Sequence, residues 1–297
     1  MKIEITRIPT DFDEKTCFTH ARALVLDNGF GIMTTQPLRL TGSDIFYGMY
    51  LSITYDGGKS WSKLTPSKTL VRQPIGGGYE LAMCDATPML HKKSGKILLI
   101  GHSATYLNDE HASNMPRCTL YSVYDTETED FTPFKTLVSP YLPEQTHFSS
   151  GNGSGQSFEL ESGEILIPVY SLCKNDSKNP FGWDKCFKSE VLRCSFDGEN
   201  LTVVEKGAPL TIDIPRGLYE PSVIKYKDEY FLTLRNDTNG YITKSRDGLN
   251  YEKPKCLTWE NGEVVGNYNT QQHFIVGGGK LYLVYTRKGA NNDHVFR

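Results

Sequence analysis

The chain has 297 residues, a formal net charge of −3, and 38% hydrophobic and 11% aromatic residues. This length is sufficient for one large hydrophobic core or two smaller ones. The dispersed charge excludes a basic face for nucleic acid and a polybasic membrane patch. No segment approaches the roughly 20 apolar residues that span a bilayer, and the amino-terminal sequence lacks the apolar core of a signal peptide. We therefore expect a globular protein with no nucleic-acid partner and no membrane span.

Cysteine and histidine usage predicts neither a metal site nor a cofactor. The seven cysteines include no CxxC pair, and the histidines occur singly, without ligand spacing. The glycine runs at 75–80 and 276–280 are predicted to be hairpin turns, because no helix follows them. Glycosylation patterns at Asn152 and Asn236 lie on the face where we place the site, so attached sugars would obstruct it. A reducing or bacterial setting fits best. We expect the protein to be cytoplasmic as the chain stands, or periplasmic or secreted if a signal peptide was removed.

Five segments repeat one pattern: a polar residue, a short apolar run, a turn, and a second apolar run. They cover residues 20–36, 84–103, 155–171, 219–237 and 271–289. Further strands are predicted between them at 47–55, 117–125, 189–196 and 239–246. Two hairpins make a four-stranded blade of a β-propeller. Because no linker divides the chain, we predict one all-β domain over residues 1–297, a five- or six-bladed propeller with antiparallel blades.

Three of the predicted turns share a pattern of a hydroxyl residue, an aspartate and a glycine. The fullest copy is Thr54-x-Asp56-x-Gly58-x-Ser60-Trp61, and shorter copies occur at 195–201 and 245–251. The aspartate is expected to accept hydrogen bonds from backbone amides, and the glycine to take the left-handed conformation. The tryptophan is expected to pack beneath the loop. These residues are assigned to turn stability rather than to chemistry.

The turns resemble the Asp-box, or BNR repeat, of the sialidase (neuraminidase) superfamily, and the hairpins resemble that family along nearly the whole chain. The segment "GNGSGQSFELESGEILIPVY" (151–170) is similar to the start of the family's third blade, and "ATPMLHKKSGKILLI" (86–100) to the second. In sialidases a glutamate begins a hairpin like "YEPSVIKYKDEYFLTLR", and one of three substrate-binding arginines ends it. Glu220 and Arg235 match these two positions.

The resemblance implies a glycoside hydrolase acting on a terminal, acidic or neutral, sugar of a glycan. The family mechanism is retaining hydrolysis with a tyrosine nucleophile, whose proton the glutamate accepts. An aspartate protonates the leaving oxygen, and arginines bind the substrate carboxylate. Asp44 precedes the first Asp-box near the place of the family's acid, and we assign it that role. No tyrosine follows Tyr285, so the nucleophile is not identified.

The sequence departs from the family at both ends. Family members run from Arg-Ile-Pro into the first inner strand, whereas here "HAR" leads into "ALVLDNG", so His20 takes the place of the first arginine. We include His20 among the catalytic candidates, with Arg22 as an alternative substrate ligand. Arg287 and Arg297 are candidates for the family's last arginine. We expect the ring to be closed by "MKIEITRI" or by chain beyond Arg297.

The ends of the five hairpins supply the remaining candidates for substrate binding. The first strands begin at His20, Asp85, Gln156, Glu220 and Gln272, and the second strands end near Gln36, His102, Tyr170, Arg235 and Arg287. Such ends converge around a propeller axis, and so many ionisable groups are costly to desolvate unless they serve a ligand. His147 is expected on a loop over the same face, and His91 and His111 at the surface. A structural ion pair is the alternative for Glu220 and Arg235.

Two other functions are compatible with these residues. A polysaccharide lyase acting on uronic-acid sugars would use a histidine or tyrosine as base and an arginine to neutralise the carboxylate. A non-catalytic propeller would bind carbohydrate without changing it. In all three cases the partner is a carbohydrate. The sequence specifies neither the sugar and its linkage nor the oligomeric state.

Overall fold

The computed structural model describes residues 5–42, 44–113, 115–141, 149–172, 186–266 and 270–286. All regular secondary structure in these ranges is β, as 23 strands. Within the same ranges, therefore, no helix is long and apolar enough to cross a membrane. The chain divides into two compact units, Met1–Thr136 (unit 1) and Leu137–Arg297 (unit 2).

Unit 1 contains two sheets. The first has the order β1 (Thr16–Val25), β2 (Gly31–Arg39), β3 (Tyr50–Thr54), β4 (Thr65–Pro66). The second contains β5 (Gln73–Gly76), β6 (Tyr79–His91), β7 (Lys96–Leu107), β8 (Glu110–His111), β9 (Thr119–Asp125), β10 (Asp130–Phe131) and β11 (Lys135–Thr136). Strand β7 pairs with β6 on one side and β9 on the other. Because it is paired along both edges and covered on both faces, ten consecutive residues of β7 are buried.

Unit 2 contains three sheets among its described residues. The first includes β12 (Ser149–Gly151), β13 (Phe158–Glu159), β14 (Ile165–Leu172), β15 (Cys186–Phe196), β16 (Leu201–Lys206) and β17 (Arg216–Gly217). The second has the order β18 (Tyr219–Tyr226), β19 (Glu229–Arg235), β20 (Gly240–Ser245), β21 (Lys255–Cys256). The third is the hairpin of β22 (His273–Gly277) and β23 (Lys280–Val284). The pairing of β15 with β17 is parallel, whereas the other strand pairs of this unit are antiparallel.

Each unit has its own hydrophobic core between neighbouring sheets. In unit 1, Ile32 of the first sheet packs in one cluster with Leu99 and Leu120 of the second. In unit 2, Leu166 and Leu232 join two sheets in the same way. All five side chains have 0% exposure. Full burial of an aliphatic side chain of this size contributes roughly 1.5–3 kcal/mol, so these clusters hold the sheets, and the site residues at their ends, in place.

The five predicted hairpins and the four predicted intervening strands are confirmed as antiparallel pairs. The hairpins are β1–β2, β6–β7, β13–β14, β18–β19 and β22–β23. The intervening strands correspond to β3, β9, β15 and β20. The prediction of a closing strand at the amino terminus finds no counterpart in residues 5–13, which form no strand, and residues 1–4 lie outside the described part. Arg297 also lies outside it.

The turn that follows β3 has the predicted hydrogen bonds. Asp56 Oδ1 accepts from the Ser60 backbone amide at 2.9 Å, and the Thr54 hydroxyl donates to the same oxygen at 2.8 Å. Gly58 has a φ of 87°, and Trp61 Nε1 donates to its carbonyl at 3.1 Å. Left-handed glycines and backbone amides bound to aspartate also occur at Asp197–Gly198 and Asp247–Gly248. These bonds hold the turns in their conformation.

Candidate active site

Three of the predicted site residues occupy the same unusual backbone position in three hairpins. His20, Asp85 and Glu220 have left-handed φ angles of 54°, 52° and 47°. The pairing of the two strands shifts register at each of these residues, as in a β-bulge. The left-handed conformation costs an ordinary residue roughly 1–2 kcal/mol, and a bulge re-aims the side chain that it carries. The three hairpins therefore share one device for presenting a polar side chain at a strand end.

The second strand of each hairpin places another polar residue beside the bulge. Gln36 pairs with the residue before His20, His102 with the residue before Asp85, and Arg235 with the residue before Glu220. In each of these hairpins, the start of the first strand and the end of the second strand are therefore neighbours, as expected. In unit 2 this pairing brings together Glu220 and Arg235, which stand at opposite ends of one hairpin sequence.

In unit 2, Glu220 and Arg235 form a close ion pair. Arg235 Nη1 lies 2.8 Å from Glu220 Oε1 and 2.7 Å from Oε2, so one nitrogen contacts both carboxylate oxygens. The Glu220 side chain is only 13% exposed and the Arg235 side chain only 16%. Burial by itself would lower the pKa of Arg235, but the charges of Glu220, Tyr219 and Asp237 and the hydrogen bond to Glu220 together raise it. Arg235 is thus held as a charged guanidinium beside the Glu220 side chain.

Tyr219 connects this pair to two residues that the sequence analysis missed. The Tyr219 hydroxyl donates to Asp237 Oδ1, and Arg216 Nη1 lies 3.0 Å from the same oxygen. The guanidinium carbons of Arg235 and Arg216 lie 5.0 Å and 4.4 Å from the centre of the Tyr219 ring, within the range of cation–π contacts. Burial raises the pKa of Tyr219, so its hydroxyl is neutral at ordinary pH.

In unit 1, Asp85 lies between two histidines. His20 Nδ1 contacts Asp85 Oδ1, and His102 Nε2 lies 3.4 Å from Asp85 Oδ2. The His20 side chain is 25% exposed, whereas His102 and Asp85 are 5% and 10% exposed. The Phe46 ring packs beside His20 with the ring centres 5.3 Å apart. His20 is therefore the member of this group that solvent reaches, with Asp85 fixing the orientation of its ring.

The protonation states in this cluster follow from burial and from neighbouring charges. Burial opposes ionisation of Asp85, but contact with His20, together with the charges of His102 and Arg22, holds the pKa of Asp85 below its ordinary value. Burial first, and then the charge of Arg117, lower the pKa of His102 to about 3 against the opposing charge of Asp85. At neutral pH the cluster holds an Asp85 carboxylate and a neutral His102.

The other candidates of unit 1 lie around this cluster. The charge of Arg22 acts on Asp85, which places it nearby. Asp44 is exposed and has a left-handed φ of 57°. Its backbone carbonyl accepts a hydrogen bond from Tyr106 Oη at 2.9 Å, and its charge acts on the pKa of His111. No hydrogen bond to the Asp44 carboxylate is present among the described residues.

Gln156 and Gln272 make structural hydrogen bonds in unit 2. Gln156 Oε1 accepts from the Ser222 hydroxyl at 2.9 Å, and Gln272 Nε2 donates to the Leu234 carbonyl at 2.8 Å. The residue of the third hairpin that has the left-handed φ, 62°, is Ser154, two positions before Gln156. Ser154 has 0% exposure. The third hairpin therefore presents Ser154, rather than the predicted Gln156, at the position that matches Glu220.

Four further histidine and arginine predictions concern residues outside these two clusters. His147 and Arg287 lie outside the described residues. The prediction that His91 lies at the surface is wrong: it is 1% exposed, and its Nδ1 is 2.7 Å from the Ser94 hydroxyl, because the end of β6 turns back on itself there. His111 is partly buried beside Arg117, with 3.2 Å between its Nε2 and Arg117 Nη2. Among the described residues, no group of three or more His, Cys, Asp or Glu has an arrangement that could hold a metal ion.

A signal for the shared bulge is present in the sequence. The segments "THAR", "CDAT" and "YEPS" each contain an ionisable residue, then alanine or proline, then a polar residue. The segment "GSGQ" fits the same frame with Ser154 in the first polar position. Arg216 and Asp237 carry no such signal, because their contact with Tyr219 joins segments on either side of a hairpin.

Comparison with known proteins gives matches in structure only. No protein-family model matches the sequence, and no curated protein matches it. A Hadza microbial sialidase superposes with a TM-score of 0.62 over 90% of this chain and 52% of its own, at 12% identity. A protein of unknown function from Dyadobacter fermentans gives a TM-score of 0.64 over 92% of this chain and 76% of its own, at 17% identity.

A third structure, a leech intramolecular trans-sialidase in complex with 2,7-anhydro-Neu5Ac, gives a TM-score of 0.63 at 15% identity. The match covers 94% of this chain and 58% of that one. The chain thus spans about half the length of the sialidases that it matches. At such low identity the likeness extends to the fold and not to the chemistry. The chain has a sialidase-like, β-propeller-like all-β fold.

Proposed function

We propose that the protein is a sialidase-like glycoside hydrolase that removes a terminal sugar from a glycan. Acidic sugars are among the candidate substrates. The observation that carries the proposal is the largely buried Glu220–Arg235 pair, whose carboxylate is held on a strained backbone at a strand end. Strained residues that bear ionisable side chains are concentrated at functional sites. The proposal includes a propeller of five or six blades.

In this proposal Glu220 acts as the base and Arg235 as its partner and as a ligand for substrate. Hydrolysis breaks the glycosidic carbon–oxygen bond, adds a water hydroxyl to the sugar, and returns a proton to the leaving oxygen. A carboxylate kept ionised by a guanidinium can accept the proton of the attacking group. The guanidinium can also bind a carboxylate or a sugar hydroxyl. The proposal also keeps Asp44 as the acid and His20 as a further catalytic candidate, and both roles rest on unit 1 alone.

A second candidate, a lyase acting on uronic-acid sugars, is favoured by the geometry of His20. An imidazole with one nitrogen on the Asp85 carboxylate and 25% of its surface exposed is arranged as a general base. A lyase would take the proton beside the sugar carboxylate, break the bond to the leaving oxygen, and form a carbon–carbon double bond. In this candidate Arg22, whose charge acts on Asp85, would neutralise the sugar carboxylate.

Product analysis separates the candidates. The purified chain is incubated with chromogenic sialosides, uronides and neutral glycosides, and with acidic polysaccharides. A hydrolase releases the chromophore and a saturated sugar, whereas a lyase produces an unsaturated sugar that absorbs ultraviolet light. Binding without any product indicates a carbohydrate-binding protein. Release of a terminal sugar that is lost in Glu220→Gln supports the main proposal, and an ultraviolet-absorbing product that is lost in His20→Gln supports the lyase.

A further inference from the structure

Arg216 combines a strained backbone with an exposed charge next to the Glu220–Arg235 pair. Its φ is 67°, and that of the following Gly217 is 62°. Its side chain is 43% exposed. An ordinary residue keeps a left-handed conformation only where its surroundings impose it, and such positions point to function when the side chain is reactive or charged.

The backbone of Arg216 is fixed by the residue that follows Arg235. Asn236 has 0% exposure, and its Nδ2 donates to the carbonyls of Pro215 and Gly217 at 3.1 Å and 2.7 Å. These two carbonyls stand on either side of Arg216. The Gly217 amide also donates to the Ile214 carbonyl at 2.9 Å. The strand end that carries Arg235 therefore sets the position of Arg216.

Arg216 and Arg235 contact one aromatic ring, and each has a carboxylate to balance it. Arg235 is balanced by Glu220 in a pair that is largely buried, whereas Arg216 is balanced by Asp237 in a pair whose side chains are 43% and 41% exposed. A buried pair is costly to break. An exposed pair contributes at most roughly 1 kcal/mol, so another carboxylate can replace Asp237 at little cost.

We propose that Arg216 binds the carboxylate of an acidic sugar, and that Asp237 is its counter-ion in the free protein. The ligand carboxylate takes the place of Asp237 Oδ1 on the guanidinium, and Asp237 keeps the hydrogen bond from Tyr219. A guanidinium suits this exchange because its planar fork binds a carboxylate through two parallel hydrogen bonds. Sialic acids and uronic acids both carry the required group. The sugar part of this inference rests on the proposed function, whereas the anion binding rests on the geometry.

The test titrates the parent protein and its variants with N-acetylneuraminic acid, D-glucuronic acid and D-glucose by isothermal titration calorimetry. We expect one or both acids, and not glucose, to bind the parent. Arg216→Gly should weaken that binding about tenfold, the size of one charged hydrogen bond, and Arg216→Lys should weaken it less. Glycine relieves the strain at this φ, so a folding defect is not expected, and thermal unfolding checks this. The matched control is Arg246→Ala, which removes an exposed arginine of the same unit.

A second variant tests the role of Asp237. Asp237→Asn keeps an acceptor for Tyr219 but removes the competing charge, so acid binding should tighten about threefold at low salt and lose this gain at high salt. Weaker acid binding in Asp237→Asn, absence of acid binding in the parent, or unchanged binding in Arg216→Gly would each overturn the inference.

The proposed function fails separately. If the parent cleaves no glycoside but binds an acid through Arg216, the inference stands and the hydrolase proposal does not. If the parent cleaves glycosides and Arg216→Gly changes neither the KM for acidic substrates nor the affinity for the free acids, the hydrolase proposal stands and the inference is wrong.

Discussion

His20 and Glu220 occupy the same local position in two separate hairpins: each is a left-handed residue at a break in strand pairing. Their φ angles are 54° and 47°, and the register shift falls at the same place in both hairpins. Local backbone sterics would favour glycine at both positions. The presence of an imidazole and a carboxylate there indicates that the side chain, and not the turn, is what the position requires.

The first prediction concerns the cost of this backbone. Glu220→Ala and Glu220→Gly both remove the ion pair with Arg235, so their difference isolates the conformational term. We expect the glycine variant to be more stable than the alanine variant by about 1 kcal/mol, because only alanine bears the left-handed strain. Chemical denaturation measures both. At Glu229, which begins the extended strand β19, the order should reverse, with glycine less stable by roughly 0.5–1 kcal/mol. Equal stability of the two Glu220 variants would contradict the strain.

The second prediction concerns the role of the Glu220 carboxylate. Glu220→Gln keeps the shape of the side chain and a hydrogen-bond acceptor for Arg235 but cannot take a proton. If Glu220 is the base, turnover should fall by roughly 10² or more while the protein stays folded. Glu229→Gln, in the same hairpin, is the control and should leave turnover unchanged. A Glu220→Gln enzyme within about twofold of the parent would show that the pair with Arg235 is structural.

The third prediction concerns a buried arginine of unit 1. Arg72 lies between the rings of Tyr47 and Tyr106, at 4.5 Å and 3.9 Å, and its Nη1 is 2.7 Å from Asp109 Oδ1. Arg72→Ala would remove both ring contacts and the closest cation of Asp109, whose side chain is 43% exposed, and we expect a loss of about 1–3 kcal/mol in the free energy of unfolding. Arg246→Ala, at an exposed position, should change it by less than about 0.5 kcal/mol. A loss under about 1 kcal/mol in Arg72→Ala would contradict this account of the cluster.

The sequence was sufficient to predict the strand pairs and one of the site's contacts. The alternation of apolar runs and turns locates all five hairpins, because strand period and turn chemistry are local properties. The Glu220–Arg235 contact also follows from the hairpin itself. The contacts of Tyr219 with Arg216 and Asp237 could not be predicted, because they depend on how a preceding loop lies against the hairpin. Gln156 was assigned the place of Ser154 because a buried serine carries no signal of function.

The fourth prediction concerns the dependence of stability on pH. Burial lowers the pKa of His102 to about 3, whereas the unfolded chain should titrate near 6.5. Below pH 6.5 the unfolded chain therefore binds a proton that the folded protein does not, and stability falls as the pH falls. The stability that comes from keeping His102 neutral is fully present above about pH 6.5. The free energy of unfolding should decrease by about 2–3 kcal/mol between there and pH 4.5.

His102→Gln should remove this part of the pH dependence. The free energy of unfolding is measured from pH 7 to pH 4.5 in parent and variant, and the variant should show the shallower slope. His111→Gln is the comparison, because burial also lowers the pKa of His111 but this side chain is only partly buried, so its effect on the slope should be smaller. Parallel slopes for the parent and His102→Gln would show that His102 does not titrate in this way.

The last prediction concerns the charge of the substrate and follows from His20. In sialidases an arginine stands at the position that His20 takes in this sequence. Arginine supplies a permanent charge and a planar fork for a carboxylate. An imidazole offers at most one hydrogen bond on its outer nitrogen here, because His20 Nδ1 contacts Asp85. A site with one fewer charged hydrogen bond should bind a sialic-acid carboxylate less well, by roughly 1.5–3 kcal/mol. We therefore expect the parent to prefer a different terminal sugar.

The measurement compares kcat/KM for a sialoside, a uronide and a neutral glycoside at equal concentrations, in the parent and in His20→Arg. The arginine should raise cleavage of the sialoside relative to the other two, because it can pair with Asp85 and still present donors to a carboxylate. His20→Gln is the control: it removes the imidazole without adding charge, and it should lower cleavage of the preferred sugar without favouring the sialoside. Efficient sialoside cleavage by the parent that the arginine leaves unchanged or reduces would refute this account of His20.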